Sequence, residues 1–303
     1  MNWRRCLARL LLSSFLLPAA WGAAETLYVA TLRDQQNSSG EGFGGALFTV
    51  DPATGAAKLV APLKVGGVIP IGLTGLSIHP KTGVFYGITA GISPAIPRSL
   101  VTIDRATGNV TLVGNLGHVG SDIRFDAKGT LYIWLTDINR LGTVDVGTGV
   151  ATAFEQPGYE QTLGGGIAFD RNGRLYISAN SSAGTLDSWS PEDQHLATGP
   201  RIVGAPYVSS INSLAFSSNG VLYAVNSNLG TPAKTNLVTI DSKTGQVKDI
   251  GALPADVDPL AFAPAMPSAS LAGLPAPESW VRYAVALAIG LALGFVLARA
   301  RGR

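Results

Sequence analysis

The chain repeats itself about every 45 residues, and that period limits what it can fold into more than any other feature. Each unit opens on a short apolar run: Leu76-Ser77-Ile78, Ile123-Arg124-Phe125, Ile167-Ala168-Phe169, Leu214-Ala215-Phe216 and Leu260-Ala261-Phe262. The third members of these runs are spaced by 47, 44, 47 and 46 residues. Gly83, Gly129, Gly173 and Gly220 follow in the first four units, where a hairpin turn favours a residue that tolerates positive φ. The next run carries a tyrosine (Tyr86, Tyr132, Tyr176, Tyr223 and, near the N-terminus, Tyr28). A third ends in the turn Asp-x-x-Thr-Gly, at Asp51 to Gly55, Asp104 to Gly108, Asp145 to Gly149 and Asp241 to Gly245. A fourth follows, as in Asn109 to Val113. Four short strands per unit of this length is the pattern of a propeller blade.

The two ends of the repeat region complement each other. The N-terminal unit, Leu27 to Leu63, supplies second, third and fourth strands but no first. The fragment Pro259-Leu260-Ala261-Phe262 is a first strand with nothing after it. Joining them completes a fifth blade and leaves no open sheet edge between first and last. The expected fold is all-β: a five-bladed β-propeller over residues 25–265, its first blade closed by the C-terminal strand. Strand and turn pattern resembles the secreted propellers with degenerate blades, the NHL-like and YVTN-like groups. That resemblance implies an exported scaffold and assigns no function.

The chain's two ends read as targeting segments. Arg4, Arg5 and Arg9, then Leu10 to Leu17, then the small residues up to Ala24 have the layout of a signal peptide, residues 1–24. The single Cys6 lies before its apolar stretch, so the processed chain uses no disulfide, thiolate metal site or cysteine nucleophile. Residues 266–280 form a Pro/Ala/Ser linker, and 281–299 hold an uncharged run from Tyr283 to Ala298, before a basic tail at 300–303. Sixteen helical residues reach about 24 Å, enough for a thin bilayer with Arg282 snorkelling. Linker, short apolar helix and arginine tail resemble the PEP-CTERM class of sorting signals over Pro275 to Arg303. This implies an exported protein, periplasmic or on the cell surface, tethered to the membrane by one C-terminal transmembrane helix.

Charge then excludes one class of partner. Seven of the 22 Lys and Arg lie in the end segments, leaving 15 basic against 20 acidic residues. A nucleic-acid partner has no electrostatic support.

Chain order sorts the loops onto two faces. First-to-second and third-to-fourth turns are short and stereotyped, and share one face. The opposite face takes long, irregular loops: 33–45, 64–73, 90–98, 155–165, 204–211 and 226–235. Variable loops on a rigid scaffold are where binding is expected. The candidate binding residues, at the channel mouth on that face, are Thr74, Asp122, Asp137, Asn180, Asn212, Asn226 and Asp258, with Thr89 and Ser121 beside them. Asp122, Asn212 and Asp258 are the oxygen set that a Ca²⁺ ion would take; no other cofactor is expected. Asp51, Asp104, Asp145 and Asp241 belong to separate turns and read as caps. His79, His118 and His195 are isolated, no Gly-x-Ser-x-Gly elbow occurs, and Gly40 to Gly45 leads into a strand rather than a helix. Trp189 stands near the place of the missing Asp-x-x-Thr-Gly turn in blade four; repeat decay is the expected reading, and a partner contact at an exposed Trp beside acidic residues the alternative. The expected function is a binding module for a protein, glycan or small ligand rather than an enzyme. A metal-dependent lactonase-like propeller and an architectural envelope or matrix protein are the alternatives.

Overall fold

The structure, a computed structural model, describes residues 25–263 apart from 33–34, 37–41, 44, 92, 94, 159–164, 179–183, 209 and 229–233. The signal peptide (1–24), linker, C-terminal helix and basic tail lie outside the described residues, as does Asn180.

Five antiparallel four-stranded arrays make up the fold, with no helix among the described residues. The first blade runs Val257–Ala263, Thr26–Thr31, Ala46–Val50, Ala57–Pro62 from the centre outward. Its innermost strand thus comes from the far end of the chain, with Leu27 opposite Phe262 and Val29 opposite Leu260. The second is Leu73–Ile78, Phe85–Thr89, Ser99–Ile103 and Asn109–Asn115. The third is Gly120–Phe125, Leu131–Leu135, Arg140–Val144 and Ala151–Gly158. The fourth, Gly166–Phe169, Leu175–Ser178, Asp187–Trp189 and Leu196–Ala197, has the shortest outer strands. The fifth is Ser210–Phe216, Leu222–Asn228, Lys234–Ile240 and Val247–Ala252. Blade count, strand order and the shared first blade agree with the repeat.

Sheets buried on both faces need apolar residues at both parities, and five apolar clusters fill the five gaps between blades. The repeated tyrosine and the repeated phenylalanine meet across those gaps. Tyr86 packs edge-on against Phe125, Tyr132 against Phe169, Tyr176 against Phe216 and Tyr223 against Phe262, with ring centroids 4.9–5.3 Å apart. In the gap between first and second blades Ile78 replaces the phenylalanine, and Tyr28 meets Phe85 instead, at 4.9 Å. Such T-shaped pairs contribute about 0.5–1.5 kcal/mol each beyond the area they bury.

Turn glycines fix the blades' outer spacing. Gly108 has φ of 70°, and a Cβ there would lie 2.1 Å from the Pro62 carbonyl oxygen of the preceding blade. Gly55 and Gly149 approach the preceding outer strand in the same way, and Gly245 approaches Arg201, a few residues past the fourth blade's outer strand. The Asp-x-x-Thr-Gly motif is therefore both a turn and a contact between blades.

One sequence expectation is decided and another changes. Trp189 is 2% exposed and stacks on Phe154 with centroids 5.7 Å apart, so it is a core residue, in line with repeat decay, and not a surface anchor. The loop 64–73 is not wholly irregular: Lys64–Val65 and Ile69–Pro70 form a small hairpin that pairs with the start of Asn109–Asn115 and covers that strand's edge.

Candidate functional site

The inner strands share a local irregularity where the candidate polar residues lie. Leu73 opposes Thr89 and Gly75 opposes Ile88, leaving Thr74 as an extra residue. Ser121 and Asn212 are extra in the third and fifth blades. In the first, Val257 opposes Thr31 and Leu260 opposes Val29, so the shift falls at Asp258-Pro259. A bulge re-aims side chains and marks barrel rims and sites. Proline suits it, having no N–H to pair.

Several of these polar groups bind neighbouring blades. Thr74 Oγ1 donates to the Gly120 carbonyl at 2.9 Å, and Ser121 Oγ to that of Gly165 at 2.8 Å. Asn212 Oδ1 accepts from Ser210 Oγ at 2.7 Å. Thr89 Oγ1 donates to the Ile96 carbonyl and accepts from the Ser99 N–H, holding the ends of the 90–98 loop. Asn226 is fully buried and Asp258 nearly so. Asp137 is exposed, and its Oδ2 lies 3.0 Å from His118 Nδ1. That contact orients an imidazole on the loop face, as a ligand-binding or proton-transferring histidine requires. Among the described residues no group of three His, Cys, Asp or Glu could hold a metal ion.

Asp122 has a different surrounding from the one its sequence position suggests. It is wholly buried, and Oδ2 accepts from the Ile167 N–H at 3.0 Å, Ser213 Oγ at 3.0 Å and the Leu214 N–H at 3.4 Å. Oδ1 takes the Ile123 N–H at 2.9 Å. Arg124 Nη2 approaches Oδ2 at 3.5 Å and also donates to the carbonyls of Leu214 (2.6 Å) and Leu260 (3.1 Å). Its Nε donates to the Ile167 carbonyl at 3.2 Å. One ion pair in the third blade thus joins the inner strands of the fourth, fifth and first. Ser213 Oγ accepts from the Leu260 N–H at 3.2 Å, and Ser77 Oγ from the Phe125 N–H at 3.0 Å, which extends the network around the ring. Burial pushes the Asp122 carboxyl up to about 6, against the pull of Arg124 and of its donors. Burial also lowers Arg124, which remains charged at any ordinary pH.

The structure therefore takes Asp122 out of a candidate ligand set and into a channel-spanning hub. Arg124, Ser213 and Ser77 belong to the same hub, and sequence reasoning passed over all three. A signal was present: the middle residue of the repeated run is Ser77, Ala168, Ala215 and Ala261 in four units, and Arg124 alone is large.

Below the hub, where the inner strands end, lies a cavity of about 160 Å³. Its wall includes Arg124 and the repeated phenylalanines Phe125, Phe169, Phe216 and Phe262.

On the turn face the carboxylates are self-contained. Asp51, Asp104, Asp145 and Asp241 each accept, through Oδ1, from the N–H two residues on at 2.8–2.9 Å. These bonds hold Asp104, Asp145 and Asp241 below the usual carboxylate range.

No protein-family model and no curated protein sequence matches the chain. Solved structures do, 572 chains of them, a breadth that fits a widely shared architecture rather than one activity. A protein of unknown function from Bacteroides thetaiotaomicron is similar over 61% of this chain at 14% identity, with a TM-score of 0.45; this chain spans about half (51%) of its length. A chain of a Nidogen/Laminin complex is similar over 80% of this chain and 99% of its own, at 11% identity and a TM-score of 0.50. The second likeness concerns the fold alone, and it agrees with a β-propeller.

Proposed function

We propose that the chain is an exported binding scaffold, tethered by its C-terminal segment at the membrane or cell surface, that takes a protein partner across its irregular loop face. The observation that carries this reading is the asymmetry of the two faces. Turn-face carboxylates are consumed by their own backbone N–H groups, and the Asp122–Arg124 hub fills the channel with internal hydrogen bonds. The loop face instead presents the exposed His118–Asp137 pair and loops of unequal length around a rigid ring. A propeller of similar fold occurs in a Nidogen/Laminin complex, which illustrates protein recognition by this architecture. A glycan or small ligand would use the same loops.

The test is a pull-down from extracellular and envelope extracts with the full-length chain in detergent, run with and without a chelator. Replacing 159–164 and 229–233 by Gly-Ser linkers should abolish recovery of the partner, whereas Asp241→Ser on the turn face should leave it unchanged. Recovery that survives both loop replacements would rule the loop face out. Loss on chelation alone would instead support a cation at that face.

A further inference from the structure

The cavity below the hub combines three features that no structural role requires together. It lies on the opposite side of the molecule from the loops, at the ends of the inner strands, so it is independent of loop-face binding. Its volume, about 160 Å³, is comparable to the roughly 150 Å³ engineered cavity that accommodates benzene. Four phenylalanines, Phe125, Phe169, Phe216 and Phe262, contribute to its wall beside Ala215, and among the described residues Arg124 is the only charged one there.

Arg124 has donors to spare. Its side chain is 10% exposed. Nε is committed to the Ile167 carbonyl, and Nη2 to Leu214, Leu260, Ser213 and Asp122. Nη1 has no hydrogen-bond partner among the described residues. Arg124 borders the cavity, so this N–H is free to take an acceptor from a ligand, and a charged donor makes roughly twice as strong a bond as a neutral one. Asp122, the carboxylate paired with Arg124, is already held by Ile123, Ile167, Ser213 and Leu214, and it is not part of the cavity wall.

We propose that this cavity is a binding site for a small carboxylate with an aromatic or branched apolar body, the body among the phenylalanines and the carboxylate on Arg124 Nη1. Apolar walls alone would suit a hydrocarbon, and a cation on open surface would suit any anion. A half-open cavity that sets aromatic side chains beside one unspent cationic donor selects a ligand that carries both chemistries.

Benzoate is the probe, with benzyl alcohol (ring without charge) and acetate (charge without ring) as comparators, titrated calorimetrically into the full-length chain in detergent. Benzoate should bind saturably, about tenfold or more tighter than either comparator, and should raise the melting temperature with concentration. Ala215→Leu narrows the cavity without touching the Arg124 hydrogen bonds and should remove benzoate binding while the chain still melts cooperatively; Arg124→Lys should remove it also, if that variant folds. Absence of saturable benzoate binding would mean that water alone fills the cavity and would overturn the proposal. Equal affinity for benzyl alcohol, or a folded Ala215→Leu variant that binds like wild type, would overturn it as well.

Discussion

Asp122 shows how far one residue's surroundings can depart from what its neighbours in sequence suggest. An Asp before an apolar strand, next to the polar position held by Thr74, Ser121, Asn212 and Asp258, reads as an oxygen ligand at a channel mouth, although its own equivalents in the repeat are Gly75, Gly166, Ser213 and Pro259. What decides its role is Arg124, two residues on, whose side chain crosses to three other blades; contacts over that separation leave no local pattern. The turn aspartates were legible for the opposite reason, since each binds an N–H only two residues away. The hub also has a pH signature. With a folded value of about 6, above the roughly 3.9 of an unfolded Asp, Asp122 binds its proton more tightly in the folded state. Its contribution is therefore fully present below about pH 4 and is lost as pH rises through about 6. Asp122→Asn breaks the buried pair and should cost about 3 kcal/mol at pH 7. Because the variant does not titrate there, its deficit against wild type should widen by about 2 kcal/mol between pH 7 and pH 4. Urea denaturation at both pH values measures this, and a deficit that narrows on acidification would place the folded value below the unfolded one.

Among elements, the fourth blade shows how a repeat can decay in sequence while its backbone persists. The tract Trp189 to Gln194 has lost every signature residue of the Asp-x-x-Thr-Gly turn, yet it makes the same two bonds. The Ser190 N–H donates to the His195 carbonyl (3.3 Å) and the Gln194 N–H to that of Ser190 (2.9 Å), as Asp51 does with Ala56 and Gly55 with Asp51. Ser190 therefore takes the place of the aspartate and Gln194 that of the glycine. Trp189, one residue earlier, matches Val50, Ile103, Val144 and Ile240, all buried ends of third strands. An offset of one residue reverses a strand's inward and outward faces, which is why the Trp could be taken for a surface group. Gln194 occupies φ of 54° without being a glycine. A side chain there costs about 1–2 kcal/mol, part of which glycine gives back through greater freedom in the unfolded chain. Gln194→Gly should thus stabilise the protein by about 0.5–1 kcal/mol, visible as a higher urea midpoint at unchanged slope. A lower midpoint would mean that the Gln194 side chain makes contacts worth more than the strain.

For the whole molecule, the ring was legible because closure is a matter of counting strands: a first blade without an inner strand and a last strand without a blade can only be one array. The channel contents and the cavity below it were not legible, since they arise where five units converge and no unit contains them. Closure also concentrates stability in one segment. Val257–Ala263 pairs with Thr26–Thr31, places Leu260 in the core between fifth and first blades and Ala261 in that between first and second, and gives the Leu260 carbonyl to Arg124. Removing it would expose a sheet edge, open two interblade cores and strip an acceptor from the buried guanidinium at once. Deleting 257–263 from the full chain, with the C-terminal segment kept, should therefore abolish the cooperative transition of all five blades rather than lower it slightly. Circular dichroism during urea titration distinguishes the cases: a single transition at the wild-type midpoint would show that the first blade holds without its inner strand, and that closure by this strand does not hold the ring together.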